Sequence, residues 1–91
     1  MIQEDKKGNA ILAIHWLVVE ARVMTANMAT NEEIYDFLDE IHRLLGFTIA
    51  KEDLTDMFEN YLKDICDERG FQRIWDYYTG KRIIRYANEI E

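Results

Sequence analysis

The sequence predicts an all-α fold, a small helical bundle of four to five helices around a central hydrophobic first helix. Three observations lead to this prediction. The 91-residue chain has no proline and only four glycines, so few residues interrupt a helix. Apolar residues in its middle recur at intervals of three and four. Two Gly-Phe pairs follow these periodic segments, where helices commonly end. We expect one helical domain over residues 1–91, with 1–8 as a flexible N-terminus.

The first helix is predicted over residues 10–28, with Asn9 as its N-cap. Fourteen of these nineteen residues are apolar, and at 100° per residue they form two separate faces. A helix that is apolar on two sides must be buried on two sides. Short helices could cover both faces, but we expect the narrower one to bind a partner. The broader face consists of Ala10, Ile14, Leu17, Val18, Ala21, Met24 and Met28, and the narrower one of Leu12, Trp16, Val19 and Val23.

The second and third helices have clear boundary signals. Thr30 and Glu33 have capping-box spacing, and Gly46 is expected to end the second helix. The third is predicted over residues 50–69, ending before Gly70. We expect one buried stripe on each helix. The stripes are Ile34, Phe37, Leu38, Ile41, Leu44 and Leu45, and then Leu54, Met57, Phe58, Tyr61, Leu62, Ile65 and Cys66.

The chain after Gly70 divides at Gly80. Before Gly80, one short helix is predicted, with an apolar face of Phe71, Ile74, Trp75 and Tyr78. If that helix continued straight, the later apolar residues Ile83, Ile84, Ala87 and Ile90 would lie about 150° away from this face. Residues 81–91 are therefore a separate segment, which the pattern allows as either a helix or a short strand.

Charge is unevenly distributed along the chain. The net charge is −7, and residues 31–68 carry twelve acidic and three basic residues. Residues 69–85 carry one acidic and five basic residues instead. The second and third helices therefore present an acidic surface, followed by a basic segment near the C-terminus. This candidate basic patch consists of Arg69, Arg73, Lys81, Arg82 and Arg85.

Residues that carry chemistry are scarce. His15, His42 and Cys66 are too few for a structural zinc site, which needs about four cysteine or histidine ligands. We find no glycine-rich phosphate loop, nucleophile elbow or calcium loop. Cys66 lies in the apolar stripe of the third helix, so we expect it to be buried and inert. We therefore predict no catalytic residues, no metal and no cofactor.

The cellular compartment is inferred from the N-terminal residues and from the cysteine count. Lys6 and Lys7 precede an apolar run as in a signal peptide, but His15 interrupts that run. Glu20 and Arg22 would lie inside the bilayer in any membrane span drawn over this region. A single cysteine cannot form an internal disulfide, which favours a reducing compartment. We expect a cytoplasmic protein that does not bind membranes.

These observations favour a non-enzymatic protein–protein interaction or regulatory domain, acting as a binder, inhibitor or scaffold. We expect a protein partner, first of all a second copy in a homodimer, and a basic macromolecule is a further possible partner. The alternative is nucleic-acid binding through the basic patch and its neighbouring aromatic residues, which the net charge opposes. An enzyme built on His15, His42, Glu20 and the tyrosines is the third hypothesis.

Overall fold

The computed structural model describes residues 4–80, with side chains from residue 6 onward. Across this part of the chain it contains four α-helices and no strand, which confirms the all-α prediction. The helices are α1 (Glu4–Ala26), α2 (Asn31–Ile49), α3 (Thr55–Arg69) and α4 (Gln72–Thr79). The question of helix or strand in residues 81–91 lies outside the described residues.

The first helix begins earlier than the sequence predicts. Residues 4–8, expected in a flexible N-terminus, are helical, and Asn9 lies inside α1 rather than capping it. The Asn9 side chain donates to the Tyr78 carbonyl oxygen at 3.2 Å, and Lys6 Nζ lies 2.9 Å from Glu59 Oε2. Tertiary contacts to α3 and α4 thus stabilise this extra turn of α1. The sequence does not predict the turn, because no local capping motif precedes it.

The second helix begins as predicted and ends later. The Thr30 hydroxyl accepts from the Glu33 amide at 3.1 Å, and the Glu33 carboxylate accepts from the Thr30 amide, so the capping box is confirmed. The predicted end at Gly46 is wrong, because α2 continues to Ile49. Its last turn is held by packing: Phe47 meets the Tyr61 ring edge-on, and Thr48 is buried.

The predicted stop at Gly70 is confirmed. Gly70 has a φ of +74°, and the amide of Phe71 donates to the Cys66 carbonyl at 2.8 Å, as in a Schellman motif. Gly80, with a φ of +81°, ends α4 in the same left-handed conformation. The third helix starts at Thr55, later than predicted, where Asp53 accepts a hydrogen bond from the Thr55 amide.

The four helices contact one another in a ring. The helix α1 packs on α2 and α4, and α3 packs on the same two helices from the other side. One core joins all four helices, and its fully buried large side chains are Leu17, Phe37, Leu44, Phe58, Leu62 and Ile65. Since α1 occupies one place in this ring, the predicted central position of the first helix is not confirmed.

Candidate functional site

The helix α1 points its small side chains inward and several large ones outward. Ala10, Ala13 and Ala21 are buried beside Leu17, which allows the neighbouring helices to approach α1 closely. Ile11 is 56% exposed, and Val18 is 41% exposed. The helix α1 therefore exposes part of its apolar surface, while Leu17 and the packed side chains of Ile14 and Met24 belong to the core.

The helix α2 also exposes an apolar stripe. Leu38, Leu45 and Ile49 are 47%, 43% and 73% exposed, and with His42 they follow the alternating four- and three-residue spacing of a helix-packing seam. The prediction that Leu38 and Leu45 are buried is wrong. The prediction that Met57 belongs to the buried stripe of α3 is also wrong, because Met57 is 52% exposed. The buried stripe of α2 is narrower and consists of Phe37, Ile41, Leu44 and Thr48.

The helices α1 and α2 expose apolar residues on corresponding flanks. One flank of α1 faces α4, where Trp16 meets Tyr77. One flank of α2 faces α3, where Glu40 meets Arg69. Ile11 and Val18 of α1 lie on the other flank, about 100° from the buried stripe, and so do Leu38, Leu45 and Ile49 of α2. The exposed Val23 lies on the α4 flank of α1 instead. We call the surface that contains Ile11, Val18, Leu38, Leu45 and Ile49 the outer groove.

The partner face predicted on α1 is partly covered by α4 and partly exposed to solvent. Trp16 is half-buried, with its ring centroid 6.0 Å from that of Tyr77. Leu12 and Val19 are also half-buried, whereas Val23 is exposed. The helix α4 thus covers part of this face within the same molecule.

A cleft of about 220 Å³ remains between α1 and the start of α4. Trp16, Phe71 and Tyr77 form its aromatic walls, with Glu20 and Arg73 also lining it. The indole Nε1–H of Trp16 is buried and has no hydrogen-bond acceptor among the described residues. We call this space the Trp16 cleft.

Only two members of the predicted basic patch lie in the described part of the chain. Arg69 donates two hydrogen bonds to Glu40 Oε1, at 2.7 and 3.0 Å, and its guanidinium lies 4.3 Å from the centre of the Phe37 ring. Arg69 therefore stabilises the packing of α3 on α2. Arg73 is exposed beside the Trp16 cleft, and Lys81, Arg82 and Arg85 lie outside the described residues.

The side chains that could catalyse a reaction or bind a metal do not cluster in the described part of the chain. His15 and His42 are exposed, and no group of three or more possible metal ligands occurs in residues 6–80. Cys66 is 3% exposed, and burial raises the pKa of its thiol to about 11. The thiol is therefore protonated at neutral pH and a poor nucleophile.

The helix α1 also meets the length and composition test for a membrane span over Lys6–Ala26. A core helix of a soluble protein and a signal sequence meet the same test. In this structure 22% of the apolar window is buried against other helices.

Comparison of the chain with protein-family models, with curated proteins and with solved structures finds no match.

Proposed function

We propose that this domain is a non-enzymatic protein-interaction module that self-associates through the outer groove. The observation that carries the proposal is the exposure of the large apolar side chains Ile11 and Val18 on α1. The outer groove adds Leu38, Leu45 and Ile49 of α2, which are also exposed. Exposed apolar surface on neighbouring helices is characteristic of interfaces, because its contact with water is unfavourable.

A second copy is the occupant that the pattern fits best. The exposed stripe of α2 is nearly symmetric about His42, with Leu38 four residues before it and Leu45 three residues after it. Two antiparallel α2 helices related by a two-fold axis near His42 bring Leu38 of one copy against Leu45 of the other. A two-fold interface requires such a self-complementary surface.

Sedimentation velocity over a hundredfold concentration range around micromolar tests this proposal. We expect the wild-type protein to be a dimer and Leu38→Glu with Leu45→Glu to be a monomer. Burying unpaired carboxylates should weaken the dimer by more than about tenfold. Met57→Glu is the matched control, because Met57 is 52% exposed on α3, outside the groove.

Circular dichroism should show that all variants keep their helices. A wild-type protein that stays monomeric over the whole range contradicts self-association. Val23→Glu tests the face predicted from the sequence: loss of the dimer in this variant alone would move the interface from the outer groove to that face.

A further inference from the structure

Gly46 is an exposed residue inside α2, where glycine is less favourable than alanine. Its backbone does not have the positive φ of Gly70 and Gly80. A Cβ added at Gly46 would meet no atom of the described residues within 4 Å. Neither the backbone conformation nor packing within the described chain therefore requires a glycine here. A glycine is required, however, where another chain approaches the helix closely.

Gly46 belongs to a hole of the kind that receives a side chain from a facing helix. When two helices interlock, four residues at positions i, i+3, i+4 and i+7 surround each inserted side chain. One such set in α2 is fully exposed and consists of His42, Leu45, Gly46 and Ile49. A hollow of about 440 Å³, lined in part by His42 and Gly46, opens at this place. The missing side chain of Gly46 thus leaves space for a large apolar side chain.

Leu38 is the side chain that a second copy would bring to this hole. It is 47% exposed, and it lies four residues before His42, as Gly46 lies four residues after it. A two-fold axis near His42 between antiparallel α2 helices pairs each residue before His42 with the residue equally far after it in the other copy. Leu38 of one copy then enters the hole of the other between Leu45 and Gly46, and this contact occurs twice.

We propose that Gly46 is a specificity-determining residue of the dimer, because it leaves the space into which Leu38 of the second copy inserts. This inference rests on the proposed self-association and adds the contact that fixes the register of the two α2 helices. A side chain at position 46 would occupy the hole and keep the two helices apart.

Sedimentation velocity of full-chain variants, over the same concentration range as for the wild type, tests this role. Gly46→Ala should weaken the dimer severalfold and Gly46→Leu by more than about tenfold, because the added side chain overfills the hole. Gly8→Ala is the matched control. Gly8 is also helical and exposed, and its added Cβ would meet no described atom within 4 Å, but it lies on α1. This control should dimerise like the wild type.

The stability of the fold separates an interface role from a structural one. In the background of Leu38→Glu with Leu45→Glu, where we expect a monomer, Gly46→Ala should raise the urea midpoint, because it replaces a helical glycine. The same substitution thus strengthens the fold and weakens the dimer. A lower midpoint would show that folding itself requires Gly46, and it would overturn the inference.

Exchange of the two side chains tests the contact directly. Leu38→Ala alone should weaken the dimer by more than about tenfold, because it leaves the hole empty. Combining Leu38→Ala with Gly46→Leu should recover most of the lost affinity, since a large and a small side chain again face each other with their places exchanged.

Two dimerisation results would overturn the inference while self-association stands. One is a Gly46→Leu variant that dimerises as tightly as the wild type. The other is a Leu38→Ala, Gly46→Leu variant that dimerises no more tightly than either single variant. A wild-type protein that stays monomeric contradicts the proposed self-association itself, and the inference fails with it.

Discussion

Glu59 joins three helices through a single carboxylate oxygen. This atom lies on α3 and accepts hydrogen bonds from Lys6 Nζ of α1 at 2.9 Å and from the Tyr78 hydroxyl of α4 at 2.7 Å. Partial burial raises the pKa of Glu59, but these two hydrogen bonds outweigh it, and the net shift is downward from 4.5. The charged form of Glu59 is thus the one that the folded protein stabilises.

Replacing Glu59 by Gln should destabilise the protein by about 1–2 kcal/mol at pH 7, because a charged acceptor becomes neutral. A lowered pKa in the folded state contributes stability that is present above pH 4.5 and is lost as the pH falls below it. The difference from wild type should therefore shrink between pH 5 and pH 3. Urea unfolding at several pH values measures this.

The control is Asp39→Asn, since Asp39 and Arg43 form an exposed pair at 3.8 Å. Its effect should be below about 0.5 kcal/mol at every pH. A constant difference between Glu59→Gln and wild type down to pH 3 would contradict the assigned role of Glu59.

At the scale of the helices, Gly46 and Gly70 show how far local sequence patterns can predict structure. Both precede a phenylalanine and follow an amphipathic helix, yet only Gly70 ends one. The motif at Gly70 is completed by hydrogen bonds to Cys66 within the same turn. In the turn of α2 that follows Gly46, Phe47 packs on Tyr61 of α3. This long-range contact stabilises the continuation of the helix beyond Gly46.

Alanine substitutions should separate these two glycines. Gly46→Ala should stabilise the protein by about 0.5–1 kcal/mol, because Gly46 is helical and an added Cβ meets no neighbouring atom within 4 Å. Gly70→Ala should destabilise it by about 1–2 kcal/mol, since its φ is +74°. Thermal unfolding of the two variants measures both effects. Destabilisation by both would show that Gly46 ends a helix after all.

The same distinction explains which other features could be predicted. The capping box at Thr30 and the breaks at Gly70 and Gly80 depend on residues close in sequence, so the sequence predicts them. The exposure of Leu38 and Leu45 depends on how much of α2 its neighbours cover. Helical periodicity gives the direction of a stripe but not the width of the covering surface. The Trp16 cleft was missed for a related reason, because it exists only where α1 meets α4.

For the whole molecule, net charge works against self-association. Each copy carries −7, and most of the acidic residues lie on α2 and α3. Two copies that meet through α2 therefore bring like charges together. Salt screens such repulsion, because the Debye length falls from about 10 Å at 0.1 M to about 3 Å at 1 M.

If the protein dimerises as proposed, the dimer should tighten severalfold when sodium chloride rises from about 50 to about 500 mM, as measured by sedimentation equilibrium. Glu32→Gln with Asp36→Asn removes two exposed acidic charges of α2 from each copy. This variant should dimerise more tightly at low salt and respond less to added salt. Weakening of the wild-type dimer by salt would indicate an interface held by opposite charges instead.

The closed ring of helices has a consequence for the order of folding. Three of its four contacts join helices that are consecutive in the chain, whereas the contact of α1 with α4 joins residues as far apart as Asn9 and Tyr78. Closing so long a loop is entropically unfavourable until the other helices have brought its ends together. We therefore expect the α1–α4 seam to form last and to open first. The Trp16 cleft lies across that seam, so we expect the cleft to be lost as soon as the seam opens, before the rest of the fold unfolds.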